Sequence, residues 1–195
     1  TSVPTSNSPD LGADVTKVYS LRDLANLDVK PSEDATLKFA FQSTCSSLIP
    51  IGGVDDGALY PCSLFYETPL VWDSVNNEVI PWLATSWEWQ SDTVLRLTLR
   101  DDVTSIMGDP YTANDMLFCI DWQCNNPAIS TFFGIIDLEN CRVIDDYTID
   151  IATKSAYPFL ILELSAVAWS QVVEASVEKI GGKEATKDDE RSGTG

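Results

Sequence analysis

Histidine is missing from this sequence of 195 residues, and its absence removes most side-chain chemistry available near neutral pH. Without an imidazole there is no Ser-His-Asp or Cys-His nucleophile, no histidine-bound zinc and no ordinary near-neutral proton shuttle. The motifs G-x-S-x-G, G-x-x-x-x-G-K-[ST], G-x-G-x-x-G and the EF-hand loop do not occur either. Carboxylates remain, with 30 Asp and Glu against 12 Lys and Arg. Two of them facing each other about 5–10 Å apart across a cleft would suffice for a secreted hydrolase. Yet the acids fall in clusters all along the chain, at Asp55-Asp56, Asp101-Asp102, Asp145-Asp146 and Asp188-Asp189-Glu190, and no pair stands out. A solvated, soluble surface accounts for them better than a cation-collecting role.

Five cysteines stand at Cys45, Cys62, Cys119, Cys124 and Cys141, without a C-x-x-C pair, so a four-thiolate zinc site is not expected. Cys119 and Cys124 are five residues apart on a predicted helix, which sets their Cα atoms about 8–9 Å apart, too far for a bridge. Cys45–Cys62 and Cys124–Cys141 remain open as disulfides of an exported chain, and buried thiols packed as small hydrophobes are the alternative. No cofactor and no metal is expected.

The net charge of −18 argues against nucleic acid as a partner, because a phosphate backbone needs a basic footprint. Hydrophobic residues at 44% and charged residues at 22% are ordinary for a globular domain, and the length suits one domain better than two. No apolar run approaches the roughly 20 residues of a membrane span. No basic segment leads into an apolar one near the start, so an export signal is expected to have been removed already.

The elements that would position a site can be placed from local patterns. Residues 1–34 read as a flexible N-terminal tether and leader, with a short helical turn over Ser20–Leu27. Leu37–Gln42 alternates as a strand and runs into the polar loop Ser43-Thr44-Cys45-Ser46-Ser47. Helical spacing is expected over Ala58–Thr68, and a short extended piece at Leu70-Val71-Trp72. Trp87 and Trp89 alternate with polar residues, then turn at Ser91-Asp92 into Leu95, Leu97 and Leu99. This is an antiparallel hairpin whose two Trp and three Leu are expected to be buried, each contributing about 2 kcal/mol. Thr112 and Asp115 form a capping box for a helix with Met116, Leu117, Ile120 and Cys124 as its apolar stripe, ended by Asn125-Asn126-Pro127. Cys141, Val143, Tyr147, Ile149 and Ile151 give a second hairpin around Asp145-Asp146. Pro158–Ile180 is predicted largely helical, with Gly181-Gly182 as its stop. The order predicts an α+β fold, with a mixed sheet, antiparallel hairpins and packed helices.

The order of these segments resembles extracellular solute-binding proteins of family 5, the oligopeptide, dipeptide and nickel receptors of ABC importers. Tyr66-Glu67-Thr68-Pro69-Leu70-Val71 is similar to the family's "YEPLV", and Pro81-Trp82-Leu83-Ala84-Thr85-Ser86-Trp87-Glu88 to "PWLAtSWe". Leu99-Arg100-Asp101-Asp102-Val103 looks like "LRdgV". Gly108–Met116 looks like "G-x-P-x-T-A-E-D-V", and Val143–Ile149 like "V-x-D-D-y-T-v". Met107-Gly108 stands where the family has Asp-Gly, and Asn114 replaces its usual acid; both changes touch a turn and a cap. Ser192-Gly193-Thr194-Gly195 looks like the start of the family's "GTGPY".

The resemblance implies that residues 35–195 form an incomplete N-terminal lobe of a type II periplasmic-binding-protein clamshell. It also implies a monomer without enzymatic activity, placed extracytoplasmically and joined to the membrane only through a lipid anchor upstream of residue 1. Such a protein would take up a solute, an oligopeptide first of all, by two-lobe closure and pass it to an ABC importer permease. The same resemblance points to Ser43, Thr44, Cys45, Ser46 and Ser47 as a ligand-facing wall, with Trp169 as a further ligand-binding candidate. An ordinary surface loop and core packing are the respective alternatives. Two other functions compete, an oligosaccharide receptor of the same fold, suggested by the six Trp, and the carboxylate hydrolase. An adhesive or purely structural surface domain is a third.

Overall fold

The computed structural model describes residues 48–49 and 62–194. Two compact units partition the chain: Thr1–Ala40 with Asp73–Glu78, and Phe41–Trp72 with Val79–Gly195. The expected tether over 1–34, helix Ser20–Leu27, strand Leu37–Gln42 and loop Ser43–Ser47 lie outside the described residues.

In the first unit, Asp73–Glu78 is a turn organised by one carboxylate. Asp73 Oδ1 accepts from the Val75 and Asn76 backbone N–H groups at 3.0 and 3.3 Å, and its Oδ2 accepts from Asn76 Nδ2 at 2.9 Å. Asn77 takes φ 56°, a conformation Asn tolerates better than most side chains.

In the second unit, the helix expected over Ala58–Thr68 is a single turn in its described part. Phe65 and Tyr66 N–H both bond the Cys62 carbonyl at 3.0 Å, and the chain is extended from Tyr66 onward. Pro69 gives the reason, since it excludes the residue before it from the helical region. Strands β1 (Leu70–Asp73) and β2 (Glu78–Pro81) pair in a two-stranded sheet.

The two predicted hairpins are present and join in one sheet. Strands β3 (Ala84–Ser91), β4 (Val94–Leu99), β5 (Arg142–Asp145) and β6 (Thr148–Ala152) lie in the order β3-β4-β6-β5, antiparallel at each step. The register alternates faces as the sequence does. Trp87, Leu97, Ile149 and Val143 form one inner row, while Glu88, Arg96, Asp150 and Arg142 form the neighbouring outer row, with alternating charge. Arg96 meets Asp150 in a two-pronged pair at 2.7 and 2.8 Å.

Leu95, Leu97, Leu99, Ile149 and Ile151 are buried, but Trp87 and Trp89 are only half-buried, which corrects the expected burial. Strand β3 is an edge strand, and helix α1 (Ala113–Asn125) packs against β5 and β6 at the other side of the sheet. The indoles therefore cover the core without being covered themselves.

Helix α1 starts with the predicted capping box. Asp115 Oδ2 accepts from the Thr112 backbone N–H at 2.7 Å and from Thr112 Oγ1 at 2.8 Å. Its buried face differs from the expected stripe, being made of Ala113, Asp115, Met116, Cys119, Ile120, Trp122 and Gln123, with Leu117 and Cys124 partly buried.

The largest correction concerns Pro158–Ile180. Only α2 (Leu160–Glu163), a 3-10 turn over Val167–Trp169 and α3 (Glu174–Ile180) are helical, and the chain between the last two is extended. Gly181 and Gly182 do stop α3, at φ 121° and 94°.

Candidate functional site

Three polar side chains of helix α1, Asp115, Cys119 and Gln123, stand at i, i+4 and i+8, hence on one face. All three are spent on the backbone of the extended segment beside them. Gln123 Nε2 donates to the Ala168 carbonyl at 2.7 Å. Cys119 donates its S–H to the Val172 carbonyl at 3.5 Å and accepts from the Val172 N–H at 3.3 Å. Asp115 Oδ1 accepts from the Glu174 N–H at 2.8 Å. Burial pushes the Cys119 thiol up to about 12, so it stays protonated and able to donate.

The other edge of this segment is bonded by backbone. Gln171 N–H donates to the Glu67 carbonyl at 2.9 Å, Val173 N–H donates to Ser192 at 2.9 Å, and Val172 bridges Gly193. The N–H groups of 171 and 173 thus point one way and those of 172 and 174 the other, as in a strand between two partners. One partner is backbone, the Glu67 and Ser192 carbonyls and an isolated bridge to Gly193; the other is a row of side chains on a helix. This satisfies a buried backbone that a continuous helix would have satisfied internally. Gln171 is itself tied down, accepting from Tyr111 Oη at 3.1 Å and donating to the Trp169 carbonyl at 2.5 Å.

Trp169 is the one predicted ligand residue among those described. Its ring is 3% exposed and packs on Phe133 with centroids 5.0 Å apart, at the start of the extended segment. Ser43, Thr44, Cys45, Ser46 and Ser47 lie outside the described residues. The zipper of Asp115, Cys119 and Gln123 was missed at the sequence level. Its signal was there, as polar residues spaced by four on an otherwise apolar helix face.

A second polar focus surrounds Glu67. Burial raises its carboxyl above the usual range, while the Trp82 indole, the Arg100 guanidinium and the Thr194 hydroxyl nearby pull it back down. Ser192 Oγ lies beside Tyr66 Oη, and Thr194 Oγ1 beside Glu67, but the three hydroxyls are buried without a well-formed hydrogen bond. Gly193 sits between them with room for hydrogen only, because a Cβ there would lie 2.2 Å from the Phe65 carbonyl oxygen.

The other carboxylates are dispersed in structural duties. Asp109 accepts from Ser176 Oγ at 2.6 Å and pairs with Lys179, which holds it below the usual carboxylate range. Asp102 pairs with Arg100, Asp189 with Arg191, and Asp150 with Arg96. No cluster of three or more metal-ligating side chains occurs among the described residues. Among the described residues, these acids are committed to caps, turns and ion pairs and not gathered in a facing pair such as the hydrolase reading requires.

Three comparisons give this arrangement its relatives. Residues 78–195, more than half of the chain, match the family model for bacterial extracellular solute-binding proteins, family 5 Middle. The chain is 32% identical over 108 residues to the nickel-binding periplasmic protein of Escherichia coli (strain K12), covering 52% of this chain and 20% of that protein. It is 31% identical over 118 residues to the periplasmic alpha-galactoside-binding protein of Rhizobium meliloti (strain 1021), covering 55% and 16%. It thus spans about a fifth or less of the curated relatives' length. The structure of the Escherichia coli murein tripeptide binding protein superposes with a TM-score of 0.67 at 22% identity, over 80% of this chain and 33% of that one. The fold is the α+β arrangement of such receptors, and the family is one of binding proteins rather than enzymes. With the family model spanning both hairpins and the capped helix between them, this chain belongs to the bacterial extracellular solute-binding proteins of family 5.

Proposed function

We propose that this chain supplies part of one lobe of an extracytoplasmic receptor that captures a solute, an oligopeptide first of all, and delivers it to the permease of an ABC importer. The observation that carries this reading is the family match over 78–195, laid on a scaffold in which Asp115 serves as a cap and Asp102, Asp109, Asp150 and Asp189 sit in ion pairs. A binding lobe needs rigidity and an open face, not a reacting group. In the same reading, Ser43–Ser47 face the ligand, and the strap from Ala168 to Val173 is a rigid rail that fixes the backbone around Trp169.

An oligopeptide suits this chain better than a metal ion held directly. The chain has no imidazole, and a direct metal site would draw its ligands from elsewhere in the receptor. A peptide's extended backbone instead pairs with strand edges and polar loops. Lipid anchoring upstream of residue 1 and a monomeric state belong to the same proposal.

Affinity divides between two lobes. A solute held at about 1 μM draws roughly 8 kcal/mol from the whole receptor, and half of that leaves about millimolar binding. Calorimetry on the 195-residue chain is expected to give no dissociation constant tighter than about millimolar for short peptides. A full-length receptor carrying this sequence is expected to bind them at least a hundredfold more tightly. Nickel and alpha-galactosides are run in parallel. Tight binding of either, with none of peptide, would replace the oligopeptide by that solute, and low-micromolar binding by this chain alone would overturn the two-lobe reading.

A further inference from the structure

Two free thiols lie on the elements that bound the groove between helix α1 and the start of strand β5, Cys124 in the last turn of the helix and Cys141 just before the strand. That groove, about 460 Å³, is lined by Leu117, Phe118 and Asp121 on the helix and by Leu138 and Cys141 opposite. Leu117, Asp121 and Cys124 are spaced i, i+4, i+7, so Cys124 continues the groove-facing stripe one turn beyond Asp121. Helix α1 packs on β5 and on the 3-10 turn Leu138–Asn140 that leads into it. Cys141 is 4% exposed, with its sulfur held by the Asp137 carbonyl and the Ala152 N–H, each at 3.4 Å. Cys124 is half-buried, in the last turn of the helix. Cys119, by contrast, is committed to Val172.

We propose that Cys124 and Cys141 are a disulfide-forming pair that staples the long excursion from the end of α1 to β5. The setting rests on the extracytoplasmic reading above, because structural disulfides persist in oxidising compartments. The co-reactant is a small disulfide, R–S–S–R, such as oxidised glutathione. The more accessible Cys124 attacks as thiolate and releases one RS⁻. Cys141 then attacks the mixed disulfide at the Cys124 sulfur and releases the second RS⁻. Two electrons pass to the reagent, the two thiol protons end on two R–SH, and one Cys–Cys bond is formed.

The rate, though not the outcome, is set by the surroundings. Burial first, then the neighbouring Cys141 and Asp121, push the Cys124 thiol up to about 11. Little thiolate exists at neutral pH, so exchange in the folded chain is slow and speeds up as the pH rises. The bond therefore forms most readily during folding.

The test is to refold the full 195-residue chain at pH 8.5 with oxidised and reduced glutathione, then digest it unreduced with a protease that cuts before aspartate. Cuts at Asp121 and Asp137 put Cys119, Cys124 and Cys141 on three separate peptides. The expected result is the Cys124 and Cys141 peptides joined, two hydrogens lighter than their sum. The oxidised chain should melt roughly 5–10 °C higher than the reduced one, as expected for a closed loop of this length. Cys124→Ser, checked for folding by circular dichroism, should lose both the cross-link and the shift. Recovery of Cys124 and Cys141 as free thiols, or joined to Cys45, Cys62 or Cys119 instead, overturns the proposal. Neither result depends on solute binding, so failure here leaves the receptor reading intact, and the converse holds.

Discussion

Asp115 shows how much one residue can organise. One carboxylate oxygen closes the N-terminus of α1 through Thr112, and the other holds the Glu174 N–H at the start of α3. The group is 7% exposed, so water cannot replace those bonds cheaply. Asp115→Ala is expected to cost about 2–4 kcal/mol in urea denaturation, summing a lost cap with a charge-assisted bond. A loss below about 0.5 kcal/mol would mean that the two helix starts are held independently of it. Glu67 makes the opposite contribution. Its folded pKa lies above the value of 4.5 it starts from, so the folded state binds the proton more tightly than the unfolded one. Its share of stability is therefore present below about 4.5 and is lost as the pH rises through the folded value. Glu174, also raised by burial first, acts in the same direction. Comparing denaturation midpoints at pH 5 and pH 7, Glu67→Gln is expected to lose less stability than the parent on going to pH 7. An equal loss in both proteins would remove Glu67 as a source. Asp102, Asp109 and Asp189 are lowered by their cationic partners, so their contribution is lost only in acid, below the usual carboxylate range.

At the scale of elements, what could be read from the sequence was what is local. The period-two rows of both hairpins and the Thr112–Asp115 box each lie within a short stretch of chain, and they fold as their patterns dictate. The stretch after Pro158 does not. Leu160-Ile161-Leu162-Glu163-Leu164 has helical character, but beyond it the backbone finds its partners in Asp115, Cys119 and Gln123, some fifty residues earlier. No local window contains that information. Trp87 and Trp89 failed for a similar reason: alternation gives the face of a strand, whereas edge position comes from the order of all four. Of the candidate site, only Trp169 can be placed, and its burial is the reading that a lone Trp most often takes. Gly193 tests the joint between the strap and the segment at 190–194. Its φ of −72° suits any residue, so the need for glycine comes from the Phe65 carbonyl alone. Gly193→Ala is expected to destabilise by about 2–4 kcal/mol through backbone displacement, a larger effect than helix or strand propensity gives. If its denaturation midpoint matched the parent's, the close approach of these backbones would not exist in solution.

Across the whole molecule, two electrostatic effects of opposite sign meet. Among the described residues four ion pairs, Arg96–Asp150, Arg100–Asp102, Lys179–Asp109 and Arg191–Asp189, are weakened by added salt. Partly exposed pairs of this kind contribute about 0–1 kcal/mol each. Against them stands a net charge of −18, whose mutual repulsion acts on the folded chain and is relieved on unfolding. Raising salt from 0.1 to 1 M shortens the screening length from about 10 Å to about 3 Å, which reaches into the spacing between neighbouring acids. The repulsion involves many more charges than the pairs do, so it should dominate. The melting temperature is accordingly expected to rise steadily with sodium chloride over that range, and equally with potassium chloride, since screening does not depend on the cation. The slope should flatten near pH 4, where protonation removes much of the excess charge. A melting temperature that falls with salt at pH 7 would mean that the local pairs outweigh the excess, and that the acidic surface is arranged around its few cations rather than against itself.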